Sequence, residues 1–408
     1  MKNVSILMML IVTSATAWAV TPSREEIDGA TQWAQASFAP TESLPFSFTY
    51  AGQPSSEFLK TCTVLQSGSE KLDGQCVRNT MTFLDEKTKL EVRCVTVQYA
   101  DFPVVEWTLY FKNSGMQDTP ILENIQSLDM TLQRGPDGEF LLHHNVGSPA
   151  NGNDYGPLET PLGVNAVKKI SAAGGRPTNS DMSYFNIVWP GEGAIVVVGW
   201  PGQWAGTFTR DGAQRLHIVA GQELTHFKLQ AGEEVRSPLS VVMRYKGDWI
   251  RGQNLCRRWM MAHSMPKPGG QLPAPMALAS SSRAYEEMIK ADTEKQIMFI
   301  DRYIEEGIKL DYWWMDAGWY IQEKGCPQVG TWEVDPKRFP QGFKPISDHA
   351  HANGIKILVW FEPESGYVFT DVRSGATMTE TGEDLLQKGL DVNLPDKPGV
   401  AVFSYKKQ

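Results

Sequence analysis

The sequence predicts a two-part fold, an antiparallel β-sandwich followed by the opening of a parallel α/β unit, and three observations carry that prediction. From about residue 40 to residue 245, apolar runs of strand length alternate with clusters of Gly, Pro, Asn and Asp. Ser264 to Pro275 then holds four Pro and two Gly, a composition that suits neither a helix nor a central strand. Beyond it the hydrophobic period changes to helix, strand, helix, strand, the start of a parallel barrel or sheet. The length of 408 residues fits two domains, and 41% hydrophobic residues with 13 Trp supply material for two cores.

The elements follow in chain order. Lys2, the apolar run Val4 to Val12 and the small-x-small site Ala17-Trp18-Ala19 read as a secretory signal, residues 1–19, cleaved after Ala19. The run is shorter than the ~20 apolar residues a membrane span requires. The mature chain is therefore expected to be secreted or periplasmic, with no membrane contact after cleavage. Residues 20–263 form the sandwich domain. Its clearest strands are Leu90 to Tyr99, Val104 to Phe111, Ala194 to Trp200 and Ser240 to Tyr245. Val105, Trp107, Leu109 and Phe111 alternate with Glu106, Thr108 and Tyr110, so one face is buried and the other wetter. Trp249 to Met261 reads as a helix that caps or leaves this domain.

Residues 264–275 are the linker, and residues 276–408 begin the second domain. Glu286 to Glu306 is amphipathic, with Ile289, Ile297, Ile300, Tyr303 and Ile304 on one side and Gly307 as its stop. A strand ending at Asp316 comes next, then a long loop from Tyr320 to Gly342. Phe343 to Asn353 is a helix with Gly354 as its left-handed cap, and Ile355 to Phe361 a strand that runs into Glu362-Pro363-Glu364.

Composition narrows the function. A net charge of −9 and a pI near 5.4 argue against nucleic-acid or anionic-membrane partners, which need clustered Lys and Arg. No Cys or His spacing indicates a metal, and no cofactor is expected. His143 and His144 are adjacent and point to opposite faces of a strand. Five Cys allow disulfides without defining a framework and leave at least one unpaired within the monomer; Cys62 and Cys76 flank a turn and could pair across a hairpin.

The chemistry-bearing residues lie at strand ends. Leu310-Asp-Tyr-Trp-Trp-Met-Asp-Ala-Gly-Trp-Tyr320 is an aromatic strand closing in a carboxylate, and parallel α/β folds place ligand groups just past such ends. Asp316 accepts hydrogen bonds from sugar hydroxyls, while Trp319 and Trp360 offer indole faces to the C–H side of a ring. Glu362 and Glu364 close the next strand. Retaining glycosidases hold two carboxyls about 5–5.5 Å apart and inverting ones about 6.5–9.5 Å, and strand-end acids on one rim can meet either spacing. A helix cap for Asp316 and a salt-bridge role for the two Glu are the plainer readings. Trp204, in Gly199-Trp-Pro-Gly-Gln-Trp204, is a candidate to wall the site from the sandwich, or else seals the contact between domains.

These residues bring a family into view. Asp311 to Tyr320, Gly330-Thr-Trp-Glu-Val-Asp-Pro-Lys-Arg-Phe-Pro340 and Leu358-Val-Trp-Phe-Glu-Pro-Glu364 resemble the bacterial α-galactosidases of glycoside hydrolase family 36, melibiase-like enzymes. Gly199 to Trp204, Thr209-Arg-Asp211 and Asp248 to Trp259 resemble that family's N-terminal domain. The resemblance implies a β-sandwich followed by a (β/α)8 TIM-type barrel, and retaining hydrolysis of terminal α-linked galactose by two Asp residues. Asp316 then matches the first of a pair of sugar-binding aspartates, Trp319 the aromatic after them and Trp360 a pocket-lining Trp. Glu362 and Glu364 match a rim segment.

Two departures shape the expectation. Ala317 stands where many members carry a second Asp, which opens the substrate to N-acetylgalactosamine or another α-glycoside. A (β/α)8 barrel takes about 250 residues, and far fewer follow Ala277, so the barrel is expected to be incomplete. The nucleophile and acid/base are then expected beyond Gln408, none of the residues here is assigned as catalytic, and the truncated chain itself is expected to be inactive. The alternative is a non-catalytic secreted carbohydrate-binding relative. Expected partners are α-galactoside oligosaccharides or glycoconjugates; the sequence does not fix the oligomeric state.

Overall fold

The computed structural model describes residues 20–39, 44–281, 290–321 and 333–361, and the backbone of strands Tyr367–Asp371, Thr377–Glu380 and Phe403–Lys407. The expected signal (1–19), Cys326, Glu362 and Glu364 lie outside the described residues. The chain divides into two compact units, residues 1–265 and 266–408, at a point inside the Pro/Gly stretch.

Every described strand pair of the first unit is antiparallel. Its large sheet runs Pro157–Leu162, Phe140–Asn145, Tyr184–Trp189, Glu192–Gly199, Leu239–Lys246, Val104–Asn113, Leu90–Tyr99, Cys76–Leu84 and Thr63–Lys71, with Glu234–Arg236 also paired to Val104–Asn113. A five-stranded sheet runs Arg176–Ser180, Val167–Ala173, Trp204–Arg210, Arg215–Gln222 and Leu128–Gln133. A four-stranded one runs His226–Phe227, Leu122–Gln126, Ser47–Tyr50 and Gln53–Pro54. All three sheets feed one core: Trp107, Leu109 and Phe111 come from the first, Phe208 and Ile218 from the second, Phe48 and Tyr50 from the third. The period-2 alternation of Val104–Asn113 is what aims Trp107, Leu109 and Phe111 into that core.

The other face of the large sheet is also covered. Ile195, Val241, Met243 and Tyr245 pack with Leu255, Cys256 and Trp259 of the helix Trp249–Trp259. Burial on both faces explains why Val241, Val242 and Met243 are apolar in succession rather than in alternation. Asp248 caps the helix by accepting from the Arg251 N–H at 2.8 Å. Gly252 permits the close approach, since a Cβ there would meet the Tyr245 ring at 2.3 Å.

One element was not foreseen from the sequence, the helix Arg24–Ser37. Ser23 and Glu26 form a reciprocal capping box at its start. Glu26 is buried and accepts from the Lys246 N–H at 2.7 Å and from Arg251 Nη1 and Nη2 at 2.5 and 2.9 Å. Burial alone raises a carboxyl pKa, but these donors outweigh it and hold Glu26 at about 2.

The disulfide expectation is corrected here. Thr63–Lys71 and Cys76–Leu84 do form the hairpin, but Thr63 pairs with Leu84 and Lys71 with Val77. Cys62 and Cys76 therefore stand at opposite ends of it, roughly 30 Å apart at the rise of a strand, far beyond disulfide reach. Both are free thiols, as are Cys94 and Cys256. His143 and His144 do point to opposite faces. His143 stacks on Trp249 at 4.5 Å, and His144 Nε2 lies 3.0 Å from the Thr160 hydroxyl.

In the second unit, Leu278–Ala279, Tyr312–Met315 and Lys356–Val359 form a parallel sheet in that order. The helices Thr293–Glu305 and Lys344–Ala352 supply Ile300, Ile346 and Ala350 to a core with Trp313, Met315 and Phe339. The first of these helices starts later than Glu286. Asp292 is extended and caps it by accepting from the Lys295 N–H at 2.8 Å. Gly307 and Gly354 stop the two helices with φ of 72° and 74°, as expected. Beyond residue 366 the described strands are antiparallel, in the order Thr377–Glu380, Tyr367–Asp371, Phe403–Lys407, unlike the parallel strands before them.

Candidate functional site

The three parallel strands end on one edge, and each end is held by side-chain bonds. Ser281, two residues past the first strand, accepts from Gln296 Nε2 at 3.0 Å. Gln296 in turn accepts from Trp313 Nε1 at 2.8 Å, so a buried polar chain ties the helix to the first two strands. Beyond the second strand, the Trp360 N–H donates to the Met315 carbonyl at 2.9 Å, and Trp319 Nε1 donates to the Trp360 carbonyl at 3.0 Å. These bonds join the ends of the second and third strands directly.

Strand parity assigns the faces. Trp313 and Met315 are buried toward the helices, so Tyr312, Trp314 and Asp316 face the other way. The register pairs Tyr312 with Lys356 and Trp314 with Leu358, and its continuation sets Asp316 beside Trp360. On this face Leu278 and Leu358 are 46% and 41% exposed. Asp316 and Trp360 are both half-buried. Asp316 Oδ1 accepts from the Ala317 N–H at 2.7 Å, which fixes the carboxylate and leaves its second oxygen as an acceptor for a ligand hydroxyl. Gly318 turns the chain with φ 92°, a conformation in which a side chain is strained.

Trp319 is placed differently from Trp360. It is 3% exposed, with Phe361, Phe343 and Tyr320 edge-on at 5.1, 5.4 and 5.5 Å, so its ring is a strut under the rim. Glu362 and Glu364 fall outside the described residues, immediately after Phe361. Trp204 is fully buried in the core of the first unit and donates to the Pro177 carbonyl at 2.6 Å. That corrects the expectation that its indole presents a face to a ligand. In the same turn the half-buried ring is Trp200, with the Arg236 guanidinium 5.5 Å from its centre.

Sequence reasoning missed a clasp behind the site. Asp335 Oδ2 accepts from Arg338 Nε at 2.7 Å, while Arg338 Nη2 and Nη1 donate to the carbonyls of Tyr320 and Ala291 at 2.9 and 3.1 Å. Burial pushes the Asp335 carboxyl up, but Arg338 and the Lys337 N–H prevail and hold it below the usual range. The Asp335 N–H also donates to the Trp319 carbonyl at 3.1 Å. The signal was present as Asp-x-x-Arg within a motif already singled out.

Comparison with known proteins agrees with this picture. Residues 271–401 match the family model described as "Glycosyl hydrolases family 31 TIM-barrel domain". Alpha-galactosidase Mel36A of Lactobacillus acidophilus is 22% identical over 300 residues, covering 72% of this chain and 40% of that protein. The chain thus spans about 40% of the length of the curated relatives that it matches along most of its own length. Among solved structures, the GH36 alpha-galactosidase AgaB of Geobacillus stearothermophilus superimposes with a TM-score of 0.62 at 16% identity, over 79% of this chain and 46% of that one. A variant of AgaA from the same organism, crystallised with stachyose, gives a TM-score of 0.60 at 16% identity, over 80% and 46%. At such identities the structural likeness is one of fold. The chain is similar, across most of its length, to alpha-galactosidases of glycoside hydrolase family 36.

Proposed function

We propose that this chain comprises the β-sandwich and the first strands of the (β/α)8 barrel of an exported, retaining exo-glycosidase of α-galactosidase type. Its substrates in this reading are oligosaccharides ending in α-linked galactose or N-acetylgalactosamine. The observation that carries the reading is the fixed carboxylate of Asp316 at a parallel strand end, beside Trp360 and locked there through Trp319. Asp316 accepts from ring hydroxyls, and Trp360 covers the apolar side of the sugar. Glu362 and Glu364 are assigned to the rim. No residue of this chain is assigned as nucleophile or acid/base, so it is expected to bind sugar without turning it over.

Titration calorimetry with an α-galactoside tests this. Asp316→Asn is expected to weaken binding on the order of tenfold or more, the worth of a hydrogen bond to a charged acceptor, with the melting temperature unchanged. Equal affinity in the variant places the site elsewhere. Hydrolysis of a chromogenic α-galactoside by the 408-residue chain would make Glu362 and Glu364, or Asp391 and Asp396 further along the sequence, catalytic candidates.

A further inference from the structure

Away from the strand ends, the first unit brings together a thiol, an imidazole and a carboxylate. Cys76 opens the second strand of the first hairpin, and its Sγ lies 3.7 Å from His263 Nδ1. His263 sits on the π-helical turn Met260–Ser264 that extends the helix Trp249–Trp259. Its Nε2 lies 2.9 and 3.0 Å from the two oxygens of Asp101. The ring is held between Tyr99 and Phe102, with centroids at 4.6 and 5.8 Å. A carboxylate accepts, so Nε2 carries the proton and Nδ1 presents its lone pair to the thiol.

The other described thiols lack this arrangement. Cys94 and Cys256 lie deeper, at 1% and 2% exposed. Cys62, half-buried, donates its thiol to the Phe58 carbonyl at 3.5 Å. Cys76 is 7% exposed, and Asp101 reaches further into solvent.

We propose that Cys76 is a base-assisted reactive thiol at which this chain takes up a small neutral disulfide, with His263 as the base and Asp101 as the residue that positions it. In the step, the Cys76 proton passes to His263 Nδ1 as the sulfur attacks one sulfur of the disulfide. The S–S bond of the reagent breaks, a mixed disulfide forms on Cys76, and the departing thiolate takes the proton back from His263. Burial, together with Asp73, Asp101 and Glu106, pushes the Cys76 thiol up to about 11. The resting group is thus a thiol that needs its base, and the sulfur it exposes on deprotonation is a strong nucleophile. The same three carboxylates repel anionic reagents, which is why the partner is neutral.

The test uses the whole chain and neutral dithiodipyridine, followed by thiopyridone absorbance, with the labelled site identified by peptide mass. Cys62 serves as the internal control, being a partly exposed thiol pushed up to about 11 like Cys76. Cys76 is expected to react faster than Cys62 by about tenfold or more, the lower end of general-base assistance. His263→Ala should bring Cys76 down to the rate of Cys62 while leaving Cys62 unchanged. In that variant the Cys76 rate should also rise in proportion to hydroxide through neutral pH, with Asp73, Asp101, Glu106 and Tyr99 as the described titratable groups beside the thiol. Asp101→Asn should fall between, and an anionic aryl disulfide should lose the Cys76 preference. Where His263→Ala makes Cys94 reactive, and so has loosened the core, His263→Gln keeps a donor toward Asp101 without a base and takes its place. Labelling of Cys62 ahead of Cys76, or an undiminished Cys76 rate in both His263 variants, overturns the proposal.

Discussion

The two units use the same aromatic side chains to opposite ends. In the first, Trp107 is buried against Trp33 and Phe38 and Trp204 against Phe185, and each indole N–H is bonded to a backbone carbonyl, Ser127 at 2.7 Å and Pro177 at 2.6 Å. In the second, only one face of the parallel sheet is covered among the described residues. Trp313 is enclosed there and bonded to Gln296, while Trp360 stays half-buried at the strand end. Closed layers turn an indole into packing, whereas a strand end leaves it available. Trp content alone therefore says little about ligand binding, and position in the layer says much.

The largest expected effect breaks the closed side of this comparison. Trp204→Ala should destabilise the first unit by about 3–5 kcal/mol, as large aromatic truncations in cores do, and leave sugar affinity unchanged in the folded protein. Denaturant unfolding with calorimetry on the same variant checks both. Loss of sugar binding at full stability would return Trp204 to the site.

Each unit also has a carboxylate–arginine clasp near a described element end, Glu26 with Arg251 and Asp335 with Arg338, and the two give the next contrast. Glu26→Gln removes the charge that Arg251 and the Lys246 N–H converge on, with an expected cost of about 2 kcal/mol. Because the folded pKa of Glu26 is depressed to about 2 from 4.5, its contribution is present above the higher value and lost as pH falls through the lower one. The wild-type chain should thus lose stability between those two pH values more steeply than the variant, read from urea midpoints across that window. Identical acid limbs would mean the carboxylate is already compensated in the unfolded chain. Arg338→Lys should cost less, about 1 kcal/mol, because an ammonium can still pair with Asp335 but cannot also reach the carbonyls of Tyr320 and Ala291. Its signature is weaker sugar binding through a loosened Trp319, without a shift of the first unit's unfolding.

Why some of this was readable from sequence and some was not follows from the same physics. Alternation in Val104–Asn113 and the Pro/Gly break reflect local chemistry, and the strands and the division of the chain follow from them. The strand ends at Asp316 and Trp360 were legible because an apolar run ending in a carboxylate is itself a local pattern. Register is not local: the hairpin of Cys62 and Cys76 was visible, but which residues oppose one another depends on where the turn closes, and that separates the two thiols. Trp204 failed for a related reason. Within Trp204–Arg210 it shares the buried parity of Gly206, Phe208 and Arg210, while the Gly/Pro turn just before it suggested a surface. The helix Arg24–Ser37 has its signal in Ser23 and Glu26, and Asp292 likewise marks the later helix start; both are single capping residues beside longer apolar patterns.

The smallest expected effect is the sharpest test of the open side. Ile346 and Leu358 belong to the same unit, but Ile346 lies in its core and Leu358, 41% exposed, on the sheet face that the described helices do not cover. Ile346→Ala should cost about 2–5 kcal/mol. Leu358→Gln should stay within about 0.5 kcal/mol, the usual range for surface changes, since an exposed leucine loses little apolar contact when it becomes polar. A cost for Leu358→Gln near that of Ile346→Ala would show that this face is covered in solution. The half-buried placement of Asp316 and Trp360 would then have to be read inside a closed layer, where Trp360, like Trp204, serves packing and the sugar-binding role rests on Asp316 alone.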